Sequence, residues 1–265
     1  IVFGGHDSAG VKLADLWALD LSGAGTGAWT QLSAGGGPVA RMSPAMVHDT
    51  VQDRLVLFGG LGATYLNDTW VWNLAGSGWV QLAPTGTIPT ARYSSGAMFD
   101  ASLNRMVVVA GLGSGGFSSQ VFALDLTLGL EAWTNISAPV APIMPARSAF
   151  AMGFAANGRK AWIFGGYNGS QFADVWELDV NGPTALWAQL VVPGTGPLAR
   201  HALPGCLDGA GQLVIGFGYT NGPVADLWAL DPANLAAGWT RPVVELAPSK
   251  LVTSVVALDT LRNRL

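Results

Sequence analysis

The sequence predicts an all-β chain built from repeated four-stranded antiparallel units, and three observations carry that prediction. A glycine turn after a short apolar run recurs, its second glycine falling at Gly5, Gly60, Gly111, Gly166 and Gly218, at spacings of 55, 51, 55 and 52 residues. Short runs rich in β-branched and aromatic residues alternate with Gly, Asn, Asp and Pro clusters, the pattern of strands joined by hairpins. A tryptophan opens the last run of every unit, at Trp29, Trp79, Trp133, Trp187 and Trp239. A period near ~50 residues suits one propeller blade, so the expected fold class is a β-propeller of five repeats in a single domain spanning residues 1–265.

The second repeat shows the order of elements. Arg41 opens an apolar run at 42–48, strand A, which ends in a turn over 49–53. Strand B, 55–58, runs into Gly59-Gly60. Strand C is Asp68-Thr69-Trp70-Val71-Trp72-Asn73-Leu74, and Trp79-Val80-Gln81-Leu82 is strand D. The other copies keep these landmarks, with strand C at Asp15–Asp20, Val121–Asp125, Asp174–Asp179 and Asp226–Asp231. The expected blades are 251–265 with 1–33, then 41–82, 92–136, 147–190 and 200–241.

The first blade is split because the two ends of the chain share one motif. Asn263-Arg264-Leu265 followed by Ile1-Val2-Phe3-Gly4-Gly5 matches Asp53–Gly60 with like-for-like changes. Residues 252–258 read as the missing strand A, and their pairing with strands B to D at the N-terminus would close five blades into a ring without raw edges. A closed ring is expected to be monomeric. A fragment of a six- or seven-bladed parent is the competing expectation.

Half of the residues are apolar and 11% are charged, with a net charge of −4 and three lysines. An average soluble protein carries about 25% charged residues. No basic stripe exists to neutralise phosphates, so nucleic acid is not an expected partner. The apolar runs fall short of the ~18 residues of a membrane helix, so no membrane insertion is expected. Cys206 is the only cysteine; it allows no internal disulfide and reads as a small packing residue.

An apolar strand ending in Gly-Gly, an aromatic in strand C and a Trp opening strand D resemble the Kelch repeat in its bacterial, galactose-oxidase central-domain-like form. The resemblance covers essentially the whole chain. It implies a propeller fold and, as in some Kelch proteins, arginines at the strand A start lining a binding face; apart from it, an extracellular or cell-envelope location is the expectation favoured. Ala110-Gly111 and Phe217-Gly218 depart from the double glycine.

The basic residues Arg41, Arg92, Arg147, Arg200 and Lys250 stand at one repeat position, each shortly after a Pro. They are the candidate ligand-binding set, since guanidinium groups fork onto the carboxylates of a peptide or an acidic sugar. The competing reading pairs each base with an acid of its own repeat, among them Asp15, Asp68, Asp174 and Asp226, or with loop carbonyls. Asp20, Asp125, Asp179 and Asp231 after strand C, and Asp49, Asp100 and Asp259 in the A–B turns, read as turn formers. The tryptophans read as wedges filling the space between blades.

Catalytic constellations do not assemble. Copper–tyrosyl chemistry needs several converging imidazoles, but His6, His48 and His201 do not share one face. Glu131, Glu177 and Glu245 border or sit within strands C and D, away from any channel, which leaves no acid–base pair for sugar chemistry. No cofactor or metal site is expected. The sequence therefore predicts a non-enzymatic interaction scaffold for a protein or carbohydrate ligand, met by the Arg set and by B–C loops at 6–13, 61–67, 112–119, 167–172 and 219–224. The alternative is a fragment of a larger galactose-oxidase-like or sugar-modifying enzyme whose active-site residues lie outside this chain.

Overall fold

In the computed structural model, which describes residues 1–20, 27–76 and 78–242, the fold class is that of a β-propeller made of five successive sheets, antiparallel but for one strand pair in the third. A 3-10 turn at Leu235–Ala237 is the only helix among the described residues. The second sheet runs Ala45–Asp49, Arg54–Leu61, Tyr65–Asn73 and Trp79–Leu82. The fourth runs Ala151–Phe154, Lys160–Phe164, Val175–Asp179 and Leu186–Leu190, and the fifth Gly205–Leu207, Leu213–Gly216, Leu227–Leu230 and Trp239–Thr240. The first sheet has strands Val2–Phe3, Leu16–Asp20 and Ala28–Ser33. The strand expected at 252–258, its pairing with the N-terminal strands, and Lys250 lie outside the described residues.

The third sheet is wider than the sequence predicts. Beyond Gly96–Asp100, Arg105–Gly113, Gly116–Asp125 and Ala132–Asn135, the connection from the second sheet adds Thr85–Gly86 in parallel to Ala132 and Trp133. Arg92–Tyr93 pairs with Leu112 and Gly113. Gly86 permits this approach, because a Cβ there would lie 2.3 Å from the Trp133 carbonyl oxygen.

The chain divides into two compact units, Ile1–Gly116 with Phe122–Asn135, and Phe117–Val121 with the residues from Ile136 onward. In the first unit one core cluster joins the second and third sheets through Val56, Phe58, Met106, Val108, Phe122 and Trp133. Another joins the first and second through Phe3, Leu16, Leu57, Trp72 and Trp79. In the second unit Ala151, Phe164, Leu213, Ile215, Trp228 and Leu230 form the core between the fourth and fifth sheets.

The strand D tryptophan works as an inter-sheet wedge. Trp79 meets Phe3 at 5.2 Å, Trp133 meets Phe58 at 4.9 Å, and Trp239 meets Phe164 at 5.3 Å between ring centroids. In each case a strand D indole seats on the strand B phenylalanine of the preceding sheet. Burying one such ring contributes about 4–6 kcal/mol gross as an upper bound. Trp29 departs from the expectation: it is 53% exposed.

Strand B ends at the glycine turn in the first, fourth and fifth sheets but runs through it in the second and third. In the second sheet the strand continues through Gly59-Gly60 to Leu61, with the register shifting between Phe58 and Gly60. A β-bulge is the physical reason, since it accommodates left-handed backbone without ending the ladder. The first turn position has φ of +61° at Gly4, +65° at Gly59 and +73° at Gly165, and the same conformation persists at Ala110 (+58°) and Phe217 (+55°). The expected loops 61–67 and 112–119 shrink accordingly, since strands resume at Tyr65 and Gly116.

Candidate functional site

The four described bases at the strand A start, Arg41, Arg92, Arg147 and Arg200, are anchored rather than free. Arg41, Arg147 and Arg200 are fully buried and Arg92 is 2% exposed. Arg41 clamps Asp68 with Nη1 and Nη2 at 2.5 and 2.8 Å from its two carboxylate oxygens. Arg147 does the same to Asp174 at 2.5 and 2.9 Å. Arg200 grips Asp226 through Nη1 on Oδ1 and Nη2 on Oδ2. Of the two readings open in the sequence, the pairing within each repeat is the one these side chains adopt.

The remaining donors of each guanidinium go to backbone. Nη1 donates to the carbonyl of the first turn position, at Gly59, Ala110, Gly165 and Phe217 for Arg41, Arg92, Arg147 and Arg200. Nε donates to the carbonyl two residues upstream, at Val39, Thr90, Pro145 and Leu198. Left-handed φ at the first turn position is thus coupled to a job, because it presents that carbonyl to the arginine. The second glycine makes room for the stem: a Cβ on Gly60 would lie 3.1 Å from Cδ of Arg41, and one on Gly166 3.2 Å from Cδ of Arg147.

An Asp-x-Trp pattern completes the unit. Trp17, Trp70, Trp176 and Trp228 each donate the indole N–H to the carboxylate two residues earlier, on Asp15, Asp68, Asp174 and Asp226, at 2.6 to 2.8 Å. These strand C tryptophans are polar partners as well as packing groups, a role the wedge reading missed although the four Asp-x-Trp triplets stand in the sequence. Burial alone would raise the Asp68, Asp174 and Asp226 carboxyls. Hydrogen bonds from the arginine and the indole, with the guanidinium charge, outweigh it and hold all three below the ordinary range.

The third copy differs. Gln120 stands where the other sheets carry the carboxylate, and Arg92 bonds Thr90 Oγ1 at 2.8 Å and lies 5.3 Å from the Phe122 ring centroid. Burial pulls its guanidinium down to about 10, still charged at neutral pH. In the fourth sheet Arg147 stacks on Phe172 at 3.7 Å.

Five of the seven aspartates expected in turns bond turn backbone, and Asp259 lies outside the described residues. Asp125, Asp179 and Asp231 accept the backbone N–H two residues on, at Thr127, Asn181 and Ala233. Asp49 and Asp100 accept two N–H groups of their turns and bind Arg54 and Arg105. His48 pairs with Asp53 and His6 with its neighbour's carbonyl. Glu177 is held by Lys160 and Trp162. No group of three or more His, Cys, Asp or Glu side chains able to hold a metal occurs among the described residues.

With the charges engaged below, the residues beside them present rings. In the first unit Tyr65 and Tyr93 lie 5.8 Å apart, both half-buried. In the second, Phe117, Tyr167, His201 and Tyr219 form a chain with successive centroid distances of 6.0, 5.0 and 5.6 Å. Tyr93 and His201 directly follow the arginine, and Tyr167 and Tyr219 directly follow the second glycine. Sequence reasoning placed Phe117, Tyr167 and Tyr219 within the ligand-meeting loops 112–119, 167–172 and 219–224 but did not foresee that they meet one another through His201. The available signal was the shared repeat position of Tyr167 and Tyr219, and of Tyr93 and His201, beside the two most regular landmarks.

Comparison with known proteins agrees with the architecture. Residues 1–152 match the family described as the KLHDC2/KLHL20/DRC7 Kelch-repeats domain. Host cell factor 2 of Homo sapiens is 23% identical over 233 residues, covering 81% of this chain and 29% of its own length. Adagio-like protein 1 of Oryza sativa subsp. japonica is 27% identical over 225 residues, covering 80% of this chain and 34% of its own. The chain thus spans about a third of these relatives. The structure of YjhT superposes with a TM-score of 0.70 at 17% identity, covering 91% of this chain and 80% of that one.

Proposed function

The chain belongs to the Kelch-repeat family, and on that premise we propose that it is a non-enzymatic interaction scaffold whose ligand is a protein. The observation that carries this reading is the division of labour within each repeat. Arg41, Arg147 and Arg200 are consumed by pairs with Asp68, Asp174 and Asp226, and Arg92 is buried on backbone carbonyls and Thr90, while the adjoining positions differ from copy to copy and at Tyr93, Tyr167, His201 and Tyr219 hold partly exposed rings. A rigid scaffold with variable neighbours at its loop ends is how a repeat fold selects a partner, and Tyr is a favoured anchor at interfaces.

Arg41, Arg92, Arg147 and Arg200 belong to this site as anchors that hold the turn carbonyls and the B–C segments in place. Lys250 is assigned the same part by its repeat position alone. No group of three or more His, Cys, Asp or Glu side chains is placed among the described residues to support metal chemistry.

Selection of a random-peptide library on the immobilised full chain tests the reading. Enriched peptides should bind the wild type and weaken at least tenfold with Tyr65→Ala and Tyr93→Ala together, or with Tyr167→Ala and Tyr219→Ala together. Enrichment no better than on an unrelated immobilised β protein sinks the scaffold reading. Turnover of an oxidisable sugar by the purified chain favours the enzyme alternative instead.

A further inference from the structure

Four Asn-Gly pairs occur in the chain, Asn157-Gly158, Asn168-Gly169, Asn181-Gly182 and Asn221-Gly222, and all fall in the second unit. In this dipeptide the side-chain amide is open to attack from the following backbone nitrogen, because glycine has no side chain to hinder the approach. The nitrogen must first lose its proton, so a hydrogen bond from that N–H protects the pair. A hydrogen bond that holds the asparagine amide protects it too. The fold distributes these protections unequally.

At Asn157 both protections are in place. Gly158 is buried and its N–H donates to the Ala155 carbonyl at 2.7 Å, while Asn157 Oδ1 accepts the Arg159 N–H at 3.0 Å. At Asn181 the side-chain nitrogen donates to Asp179 Oδ1 at 2.7 Å. That bond tethers the group that would have to leave, and it sets a carboxylate where negative charge would build. Asn168 and Asn221 are exposed and lie in three-residue hairpin tips, closed by the pairing of Tyr167 with Gln171 and of Tyr219 with Pro223. Neither side chain, nor the N–H of Gly169 or Gly222, enters a hydrogen bond among the described residues. A Cβ built on either glycine meets nothing within 4 Å, so the approach is open.

We propose that Asn168 and Asn221 are sites of spontaneous deamidation. The deprotonated nitrogen of Gly169 or Gly222 forms a bond to the asparagine Cγ and the Cγ–Nδ2 bond breaks. The amide nitrogen leaves as ammonia, taking up the proton that the glycine nitrogen gave, and a five-membered succinimide remains. Water opens that ring at one of its two C–N bonds, with its hydroxyl on the carbonyl carbon and its proton on the nitrogen, which yields aspartate or isoaspartate. Each event puts one carboxylate into segments 166–173 or 218–225, which carry no Asp, Glu, Lys or Arg, directly after Tyr167 or two residues after Tyr219. The isoaspartate form also lengthens the hairpin tip by one backbone carbon. The chemistry does not depend on what these loops bind, so its failure leaves the scaffold reading standing.

The test is a time course on the full chain at pH 8 and 37 °C, native and in urea, with peptide mapping by mass spectrometry for the one-dalton gain and enzymatic methyl-labelling of isoaspartate as the second readout. In the native chain Asn168 and Asn221 should each convert at least fivefold faster than Asn157 and Asn181, and the isoaspartate label should fall on the same two positions. In urea, where the fold no longer protects any pair, the four rates should come within about threefold of one another. The proposal is overturned if Asn157 or Asn181 converts natively as fast as Asn168 or Asn221. It is overturned equally if Asn168 or Asn221 stays unchanged in the native chain while converting in urea. Rates as unequal in urea as in the native chain would show that neighbouring sequence rather than the fold sets the order, and would overturn it as well.

Discussion

Removing the carboxylate from one arginine clamp isolates what that clamp contributes, and Asp174→Ala is the cleanest choice. Asp174 is 19% exposed and its partner Arg147 fully buried, so little solvent is at hand to rescue the charge. The variant deletes two charge-assisted bonds to the guanidinium and the indole bond from Trp176. Arg147 keeps the Gly165 and Pro145 carbonyls and the Phe172 face. Leaving a buried charge without its counter-ion costs about 3–5 kcal/mol. For a chain of this size each kcal/mol moves the melting temperature by roughly 2–4 °C, so the expected fall is about 10 °C.

Differential scanning fluorimetry reads this shift, with urea denaturation followed by tryptophan emission as the check. Replacing the pair together, Arg147→Met with Asp174→Leu, should recover most of the loss, because the desolvation cost of both charges is removed with their attraction. A fall below about 2 °C in Asp174→Ala, or a double variant no more stable than the single, would refute the reasoning that the clamp holds the turn.

Acid should act through the same groups. Asp68, Asp174 and Asp226 have folded pKa values depressed below the unfolded ones; their contribution is therefore complete above the ordinary carboxylate range near ~4 and is lost as pH falls through the folded values. Melting temperatures from pH 7 to 3 should stay level to about pH 5 and then drop, and Asp174→Asn should show a shallower acid limb. Cys206, whose thiol is pushed up to about 11 by burial and by Asp208, should react with a disulfide reagent at pH 8 far more slowly in the native chain than in urea; equal rates would show an open site. At the first turn position, Gly59→Ala puts a Cβ 2.6 Å from the Arg92 carbonyl oxygen at φ +65° and should cost about 1–3 kcal/mol. Ala110→Gly relieves left-handed strain at the matching position and should stabilise by about 1 kcal/mol, so equal urea midpoints for Ala110→Gly and wild type would count against the strain.

Much of this architecture is legible in the residues because it repeats. The period, the double glycine, the turn aspartates and the pairing of base with acid 26 or 27 residues on all show as fixed spacings. The glycine turn misleads over strand ends, since a left-handed pair reads as punctuation whether it closes a strand or bulges inside one. The parallel strand at Thr85–Gly86 is illegible because two small residues carry no alternating pattern. Trp29 shows the limit of position: the residue type recurs, yet its burial depends on what packs against it.

The loops that carry Phe117, Tyr167 and Tyr219 are legible as variable segments, but the contact of these rings through His201 is not, since it sits where the repeats disagree. After the second glycine the sequence has His6, Leu61, Leu112, Tyr167 and Tyr219, and after the arginine Met42, Tyr93, Ser148 and His201. Those side chains flank the clamp without joining it. The clamp fixes the backbone through the arginine and the left-handed carbonyl, so a neighbour can change from leucine to tyrosine without touching a buried hydrogen bond. Energetic insulation of this kind lets one scaffold carry different surfaces. It also separates the two classes of variant, because changes at the clamp should lower stability first, whereas changes at Tyr167, His201 and Tyr219 should alter capture while the melting temperature stays within about 2 °C, as surface substitutions do.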